Sequence, residues 1–221
     1  MVDRANLYRI APFGVYVFFM ILEDVLLKFG WEPGELRMLY ALKIAVVAGL
    51  LWAMRSAYSE LRWPSGAGLR VCFTALVAGI VVFIAWINLT ADWMVMGESV
   101  GFDPREDGEI DWFLVTVRII GAALVVPVME ELFWRSFLMR WIENPDFLAV
   151  NPAHVGLKAL CIAAALFALA HSLWLAGLFA GIVYSVLYVR SGTLWLPILA
   201  HAVTNGVLGI WIVATGNWGF W

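Results

Sequence analysis

The sequence predicts an all-α, polytopic bundle of about seven transmembrane helices, and three observations carry that expectation. Apolar residues make up 63% of the 221 and charged residues only 14%, whereas a soluble domain uses roughly 45–50% apolar residues. The mean hydropathy is +0.87. The apolar residues gather into seven stretches near the roughly 20 residues that a helical span requires, separated by connections rich in helix breakers. This is one domain over residues 1–221, with no internal repeat and no low-complexity segment.

The first stretch, about Tyr8 to Leu27, has no small-residue cleavage site after a short core, so it is expected to remain as a span and not to be a signal peptide. The others run from about Met38 to Met54, Leu69 to Thr90, Trp112 to Val128, Leu157 to Ala170, Leu173 to Val189 and Leu194 to Val213. Their connections begin at Trp31-Glu-Pro-Gly, Trp63-Pro-Ser-Gly, the acidic Gly97 to Asp111 loop, the Asn144-Pro to Asn151-Pro segment and Ser191-Gly192.

Lys and Arg are enriched in cytoplasmic loops. If the seven spans alternate, Arg4, Arg9, Arg55, Arg62, Arg70, Arg140, Lys158 and Arg190 share one side, against Lys28, Arg37 and Arg105 on the other. The N-terminus is therefore expected inside and the C-terminus outside. The net charge of -3 arises mostly between Asp92 and Asp111 and offers no basic footprint for nucleic acid. Cys72 and Cys161 lie in apolar runs without zinc-finger spacing, so both are expected to be packing residues.

An ionisable group inside a span costs several kcal/mol unless it has a partner or a purpose, and three stretches qualify. In Met129-Glu-Glu-Leu-Phe-Trp-Arg135, Glu131 and Arg135 are four apart and can neutralise one another, while Glu130 is turned away by about 100° and stays free for chemistry. Phe167-Ala-Leu-Ala-His171 ends the short fifth span. His201-Ala-Val-Thr-Asn205 places two polar side chains on one face of the seventh. With a rise of 1.5 Å per residue, Glu130 lies roughly 15 Å, His171 roughly 20 Å and His201 roughly 15 Å from the inner boundary. All three fall near the midplane, with the turn at Ser172 at membrane depth, where irregular backbone is tolerated beside a wet cavity.

Glu130-Glu131-x-x-x-Arg135, Phe167-x-x-x-His171 and His201-x-x-x-Asn205, in that order, resemble the CPBP family of intramembrane proteases, whose best-known branch is the type II CAAX prenyl endopeptidases. The resemblance covers about residues 112–213, leaving 1–111 as spans of unassigned role. It implies that Glu130 and His171 hold and activate the attacking water, that His201 and Asn205 stabilise the oxyanion, and that Glu131 and Arg135 support them. It also implies a membrane-associated protein or peptide substrate, lipidated in the CAAX branch. Tyr58-Ser-Glu-Leu-Arg62 is similar to a bacterial CAAX-protease-related group found beside exosortase sorting systems, which implies the bacterial cytoplasmic membrane. The chemistry fits hydrolysis, which needs a base, an acid and oxyanion donors. H-E-x-x-H is absent, yet Glu130, His171 and His201 would also serve as zinc ligands. Zinc and a bare water both stay open, as do two other classes of function: a proton-coupled transporter and a non-catalytic scaffold for lipidated partners.

The remaining features have plain structural readings. His154 is expected in a solvated loop, and Glu23, Asp24 and Arg118 are expected to snorkel at the outer interface. Gly177 and Gly181 are expected to permit close helix packing, and Trp31, Trp63, Trp112 and Trp218 to be interfacial anchors.

Overall fold

In hydrocarbon every backbone polar group must be satisfied within the protein, which a helix does along its own length. A computed structural model describes residues 4–63, 68–97, 101–106 and 108–221. Residues 64–67 of the Trp63 connection, and 98–100 and 107 of the acidic loop, lie outside the described residues.

The apolar stretches form α1 (Arg4–Lys28), α2 (Leu39–Ala53), α3 (Leu69–Asn88), α4 (Trp112–Glu143), α5 (Leu157–Leu169), α6 (Trp174–Ser191) and α7 (Trp195–Thr215). Five of these, α1, α3, α4, α6 and α7, are long and apolar enough to cross a membrane, and α2 and α5 are shorter. The 13 residues of α5 rise only about 20 Å against a hydrocarbon core of about 30 Å. It is therefore too short to cross that core by itself. Among the described residues the strands are β1 (Arg105–Glu106) and β2 (Glu109–Ile110), paired antiparallel in the segment before α4.

α4 spans 32 residues, continuing the fourth stretch past Val128 and through the Met129–Arg135 segment to Glu143. Asp111 caps it, its carboxylate accepting from the backbone N–H groups of Phe113 at 2.9 Å and Leu114 at 3.1 Å. Two stretches, Gly121–Val125 and Leu132–Met139, are π-helical. Pro127 supplies a cause for the first: it cannot donate to Ala123, and its ring would press on that carbonyl, so widening the preceding turn relieves the clash.

The end of the bundle that carries Arg9 and Arg140 is held by a buried ionic clasp. Arg9 donates from Nε to Oε1 of Glu60 at 2.9 Å and from Nη2 to Oε2 at 2.6 Å. Ser136 on α4 also donates to Glu60, and Arg140 donates to the Ser136 hydroxyl at 2.8 Å. This joins α1 and the Tyr58–Arg62 segment to the central helix. Deeper in the bundle Phe13 stacks on Phe133, with ring centroids 4.0 Å apart.

Glycines set the closest approaches. A Cβ on Gly79 would stand 2.5 Å from the Ala200 carbonyl oxygen, so α3 and α7 touch backbone to backbone there. On α6, a Cβ on Gly177 would lie 3.2 Å from Cα of Ala168, and one on Gly181 would lie 3.1 Å from Cα of Ala164. The G-x-x-x-G face thus packs against α5 within one chain.

One expectation is corrected. Cys72 and Cys161 are free and exposed on the helix surface, not packed in the core. In a bilayer an outward apolar position is as compatible with a thiol as an inward one, so apolar surroundings in sequence do not distinguish the two. His154 is exposed, as are Trp31, Trp63 and Trp112.

Candidate active site

A cavity of about 260 Å³ is lined by Glu130, His171, His201 and Asn205 together. Tyr16, Tyr40 and Trp86, from the first three helices, form part of its wall. The N-terminal half thus encloses the polar residues of the C-terminal half.

Glu130 and Glu131 diverge as neighbouring helical residues must. Glu131 is fully buried, and its Oε1 receives Nη1 of Arg135 at 3.0 Å. The Arg135 guanidinium lies over the Phe167 ring, 4.3 Å from its centroid. Glu130 faces the cavity, and its Oε2 is buried without a protein hydrogen-bond partner. A buried carboxylate oxygen lacking such a partner is costly unless something else occupies it, so this atom is suited to water or substrate.

His171 sits in the turn after α5. Its Nδ1 lies 2.7 Å from the Phe167 carbonyl oxygen, which can only accept, so Nδ1 carries the proton and Nε2 presents a lone pair. Trp86 contacts the ring edge-on at 5.4 Å.

His201 departs from the expected pattern. Its Nδ1 lies 3.0 Å from Oε1 of Glu131, so the supporting carboxylate braces an imidazole as well as an arginine. Tyr184 stacks on the His201 ring, with centroids 4.9 Å apart and planes 20° apart. The Tyr184 hydroxyl donates to Thr204 at 2.7 Å, and the Thr204 hydroxyl lies 2.9 Å from the Gly79 carbonyl. Helices α3, α6 and α7 are thereby pinned around one ring. Asn205 donates from Nδ2 to the Ala122 carbonyl at 2.8 Å, inside the π-helical turn. A primary amide has two N–H groups, so one is left over.

Tyr184 and Thr204 carried no signal in sequence, because a helical Tyr or Thr in an apolar run reads as packing. Among the described residues, no three His, Cys, Asp or Glu side chains gather as a metal-ligand set. Glu130, His171 and His201 therefore do not fit a zinc ion in this arrangement.

Residues 112–207 match the sequence model of the family described as Type II CAAX prenyl endopeptidase Rce1-like. That segment is an Rce1-like domain. It contains all seven named residues of the three motifs, and the first three helices, which enclose the cavity, precede it. No curated protein and no solved structure matches the chain. The Rce1-like domain and the five long apolar helices together make this an integral membrane protein carrying a protease-family domain.

A second cavity, of about 360 Å³, reaches Glu130 and His171 of the Rce1-like domain from the side. It is lined by Phe13, Val17, Met20 and Ile21 of α1, with Asp24 and Ala170. Asp24 and Glu23, expected to snorkel at an interface, thus border cavities.

Proposed function

We propose that the chain is an intramembrane endopeptidase that hydrolyses a peptide bond near the C-terminus, or in the membrane-proximal part, of a membrane-associated protein. The observation that carries this reading is the convergence of Glu130, His171, His201 and Asn205 on one cavity, within a domain of a protease family.

A water between the Glu130 carboxylate and Nε2 of His171 loses a proton to Glu130 as its oxygen attacks the scissile carbonyl carbon. The developing oxyanion is received by Asn205 through its second N–H and by His201 through Nε2. With the Nδ1–H of His201 committed to Glu131, Nε2 donates in the imidazolium form, whose charge sits beside the Glu131 carboxylate. Glu130 then returns its proton to the leaving amine as the C–N bond breaks. Positioned acid–base catalysis contributes about 10²- to 10⁴-fold, and an oxyanion donor about 10²- to 10³-fold.

The apolar side cavity along α1 suits a lipidated or membrane-embedded substrate. The excess of Lys and Arg at the end shared by Arg9, Arg55, Arg140 and Arg190 supports placing that end, with the N-terminus, in the cytoplasm.

Membranes carrying the protein, incubated in heavy-oxygen water, should yield new peptide C-termini bearing one heavy oxygen. The same membranes with Glu130→Gln should not. Partner binding without labelled termini in the wild type would favour a scaffold and sink the reading.

A further inference from the structure

Arg118 lies on the same continuous helix as Glu130, twelve positions earlier, and borders both the catalytic cavity and an outer vestibule of about 280 Å³. Its guanidinium carbon stands 4.7 Å from the Tyr40 ring centroid, 4.5 Å from Phe102 and 5.6 Å from Trp221. Among the described residues no carboxylate lies within 4.0 Å of it. Glu23 and Asp103 share its vestibule, but Asp103 is paired with Arg105 at 2.5 Å. Arg37, the other guanidinium there, is engaged by Glu106 at 2.8 Å. Behind the wall, the buried Lys43 ammonium lies over the rings of Tyr16 and Tyr40 at 4.6 and 5.0 Å. It too lacks a carboxylate within salt-bridge reach among the described residues.

A snorkelling arginine would reach headgroups. This one is framed by aromatic rings at the boundary of two internal cavities, with a second buried cation nearby. Rings attract a guanidinium and orient it, but they leave its planar N–H fork free for a bidentate carboxylate.

The register of α4 aims this group along the catalytic cavity. Arg118, Ala122, Val126 and Glu130 all line it. In an α-helix of 3.6 residues per turn a row of every fourth residue drifts by about 40° per step. The wider π-helical turn at Gly121–Val125 takes back part of that drift. Twelve residues at 1.5 Å each put Arg118 roughly 18 Å from Glu130 along the helix axis. An extended peptide covers about 3.3–3.6 Å per residue, so about three to five residues bridge the gap, depending on the reach of the side chain.

We infer that Arg118 is the receptor for the free C-terminal carboxylate of the peptide substrate, about three to five residues beyond the bond attacked at Glu130. The site measures the length of the leaving segment, and the vestibule receives it on release. This rests on the endopeptidase reading and adds to it a specificity for C-terminal over internal peptide segments.

The test uses a fluorescent peptide ending in S-farnesylcysteine and three further residues, as the free acid and as the C-terminal amide. Both are offered to the full-length protein in detergent. Binding is measured in the Glu130→Gln protein and cleavage in the wild type. The acid should be favoured by about 10- to 100-fold, the usual range for a charge-assisted pair. Arg118→Gln should bring that ratio close to one, and Arg118→Lys, which keeps the charge without the fork, should leave it in between. A ratio near one without substitution, including no binding of either form, overturns the inference. So does a ratio that Arg118→Gln and Arg118→Lys leave unchanged. If the acid is preferred through Arg118 but neither form is cleaved, the carboxylate site stands and the endopeptidase reading falls. If both forms are cleaved alike, and Glu130→Gln cleaves neither, the endopeptidase stands and the site falls.

Discussion

Oε1 of Glu131 receives both Nδ1 of His201 and Nη1 of Arg135, each at 3.0 Å, in the interior of the bundle. One carboxylate oxygen thus ties the first and third motifs together, while the adjacent Glu130 points into the cavity with an oxygen that no protein group satisfies. Oε2 of Glu131 also lacks a protein partner, but only Glu130 of the two lines the cavity, and the difference is measurable.

Glu131→Gln strips the charge from a fully buried pair and leaves Arg135 without its counter-ion. Breaking such a pair costs about 3–5 kcal/mol. Glu130→Gln removes no protein contact of Oε2, so it should alter stability by less than about 1 kcal/mol while abolishing proteolysis. Thermal unfolding of both variants in detergent checks this. Equal stability losses would contradict the division of roles.

Asn205→Ala removes an oxyanion donor and frees the Ala122 carbonyl. It should lower kcat by about 10²- to 10³-fold with little change in KM. Steady-state kinetics on a cleaved substrate decide the matter, and an unchanged kcat would reduce Asn205 to a helix-packing residue.

Gly79 and Gly49 separate close packing from helix content. A Cβ at Gly79 meets the Ala200 carbonyl and the Val203 side chain within 2.7 Å, whereas one at Gly49 meets nothing within 4 Å. Gly79→Ala should cost about 1–3 kcal/mol through overpacking and disturb His201 and Asn205 on α7. Gly49→Ala should be neutral or stabilising by up to about 1 kcal/mol. Matching melting temperatures for the two variants would refute the α3–α7 contact.

The Arg9–Glu60 clasp predicts a pH dependence of stability. Burial pushes the Glu60 carboxyl up, but the hydrogen bonds from Arg9 and Ser136, with the Arg9 charge, outweigh it and hold it below the ordinary 4.5. The unfolded chain therefore binds this proton more readily than the folded one. The stabilisation is fully present above the ordinary value and is lost as pH falls through the folded one. Unfolding midpoints between neutral pH and pH of about 3 should fall more steeply for the wild type than for Glu60→Gln. Parallel curves would remove Glu60 from the clasp.

Span positions and the Glu131–Arg135 pair were legible in the sequence because they are local: hydropathy along one segment, and spacing of four along one helix. That the three motifs could reach one another was legible too, since rise per residue needs no tertiary knowledge. The contact between His201 and Glu131 crosses 70 positions, and no periodicity encodes it. The π-helical turns followed the same limit, since Pro127 marks a disturbance in α4 without saying how the helix absorbs it. Arg118 read as an interfacial residue from its distance to the end of its span, but the aromatic frame around it comes from Tyr40, Phe102 and Trp221, all remote in sequence. The exposed Cys72 and Cys161 were misread because a bilayer removes the usual difference between apolar inside and polar outside.

The central claim is that Glu130 and His171 activate a water for peptide hydrolysis. Its most direct test is quantitative mass spectrometry of membrane-protein C-termini in cells bearing the wild type, Glu130→Gln or His171→Ala at equal expression. The account predicts a defined set of C-termini present with the wild type and missing, with the unprocessed forms accumulated, in both variants. Identical C-termini in all three would contradict it.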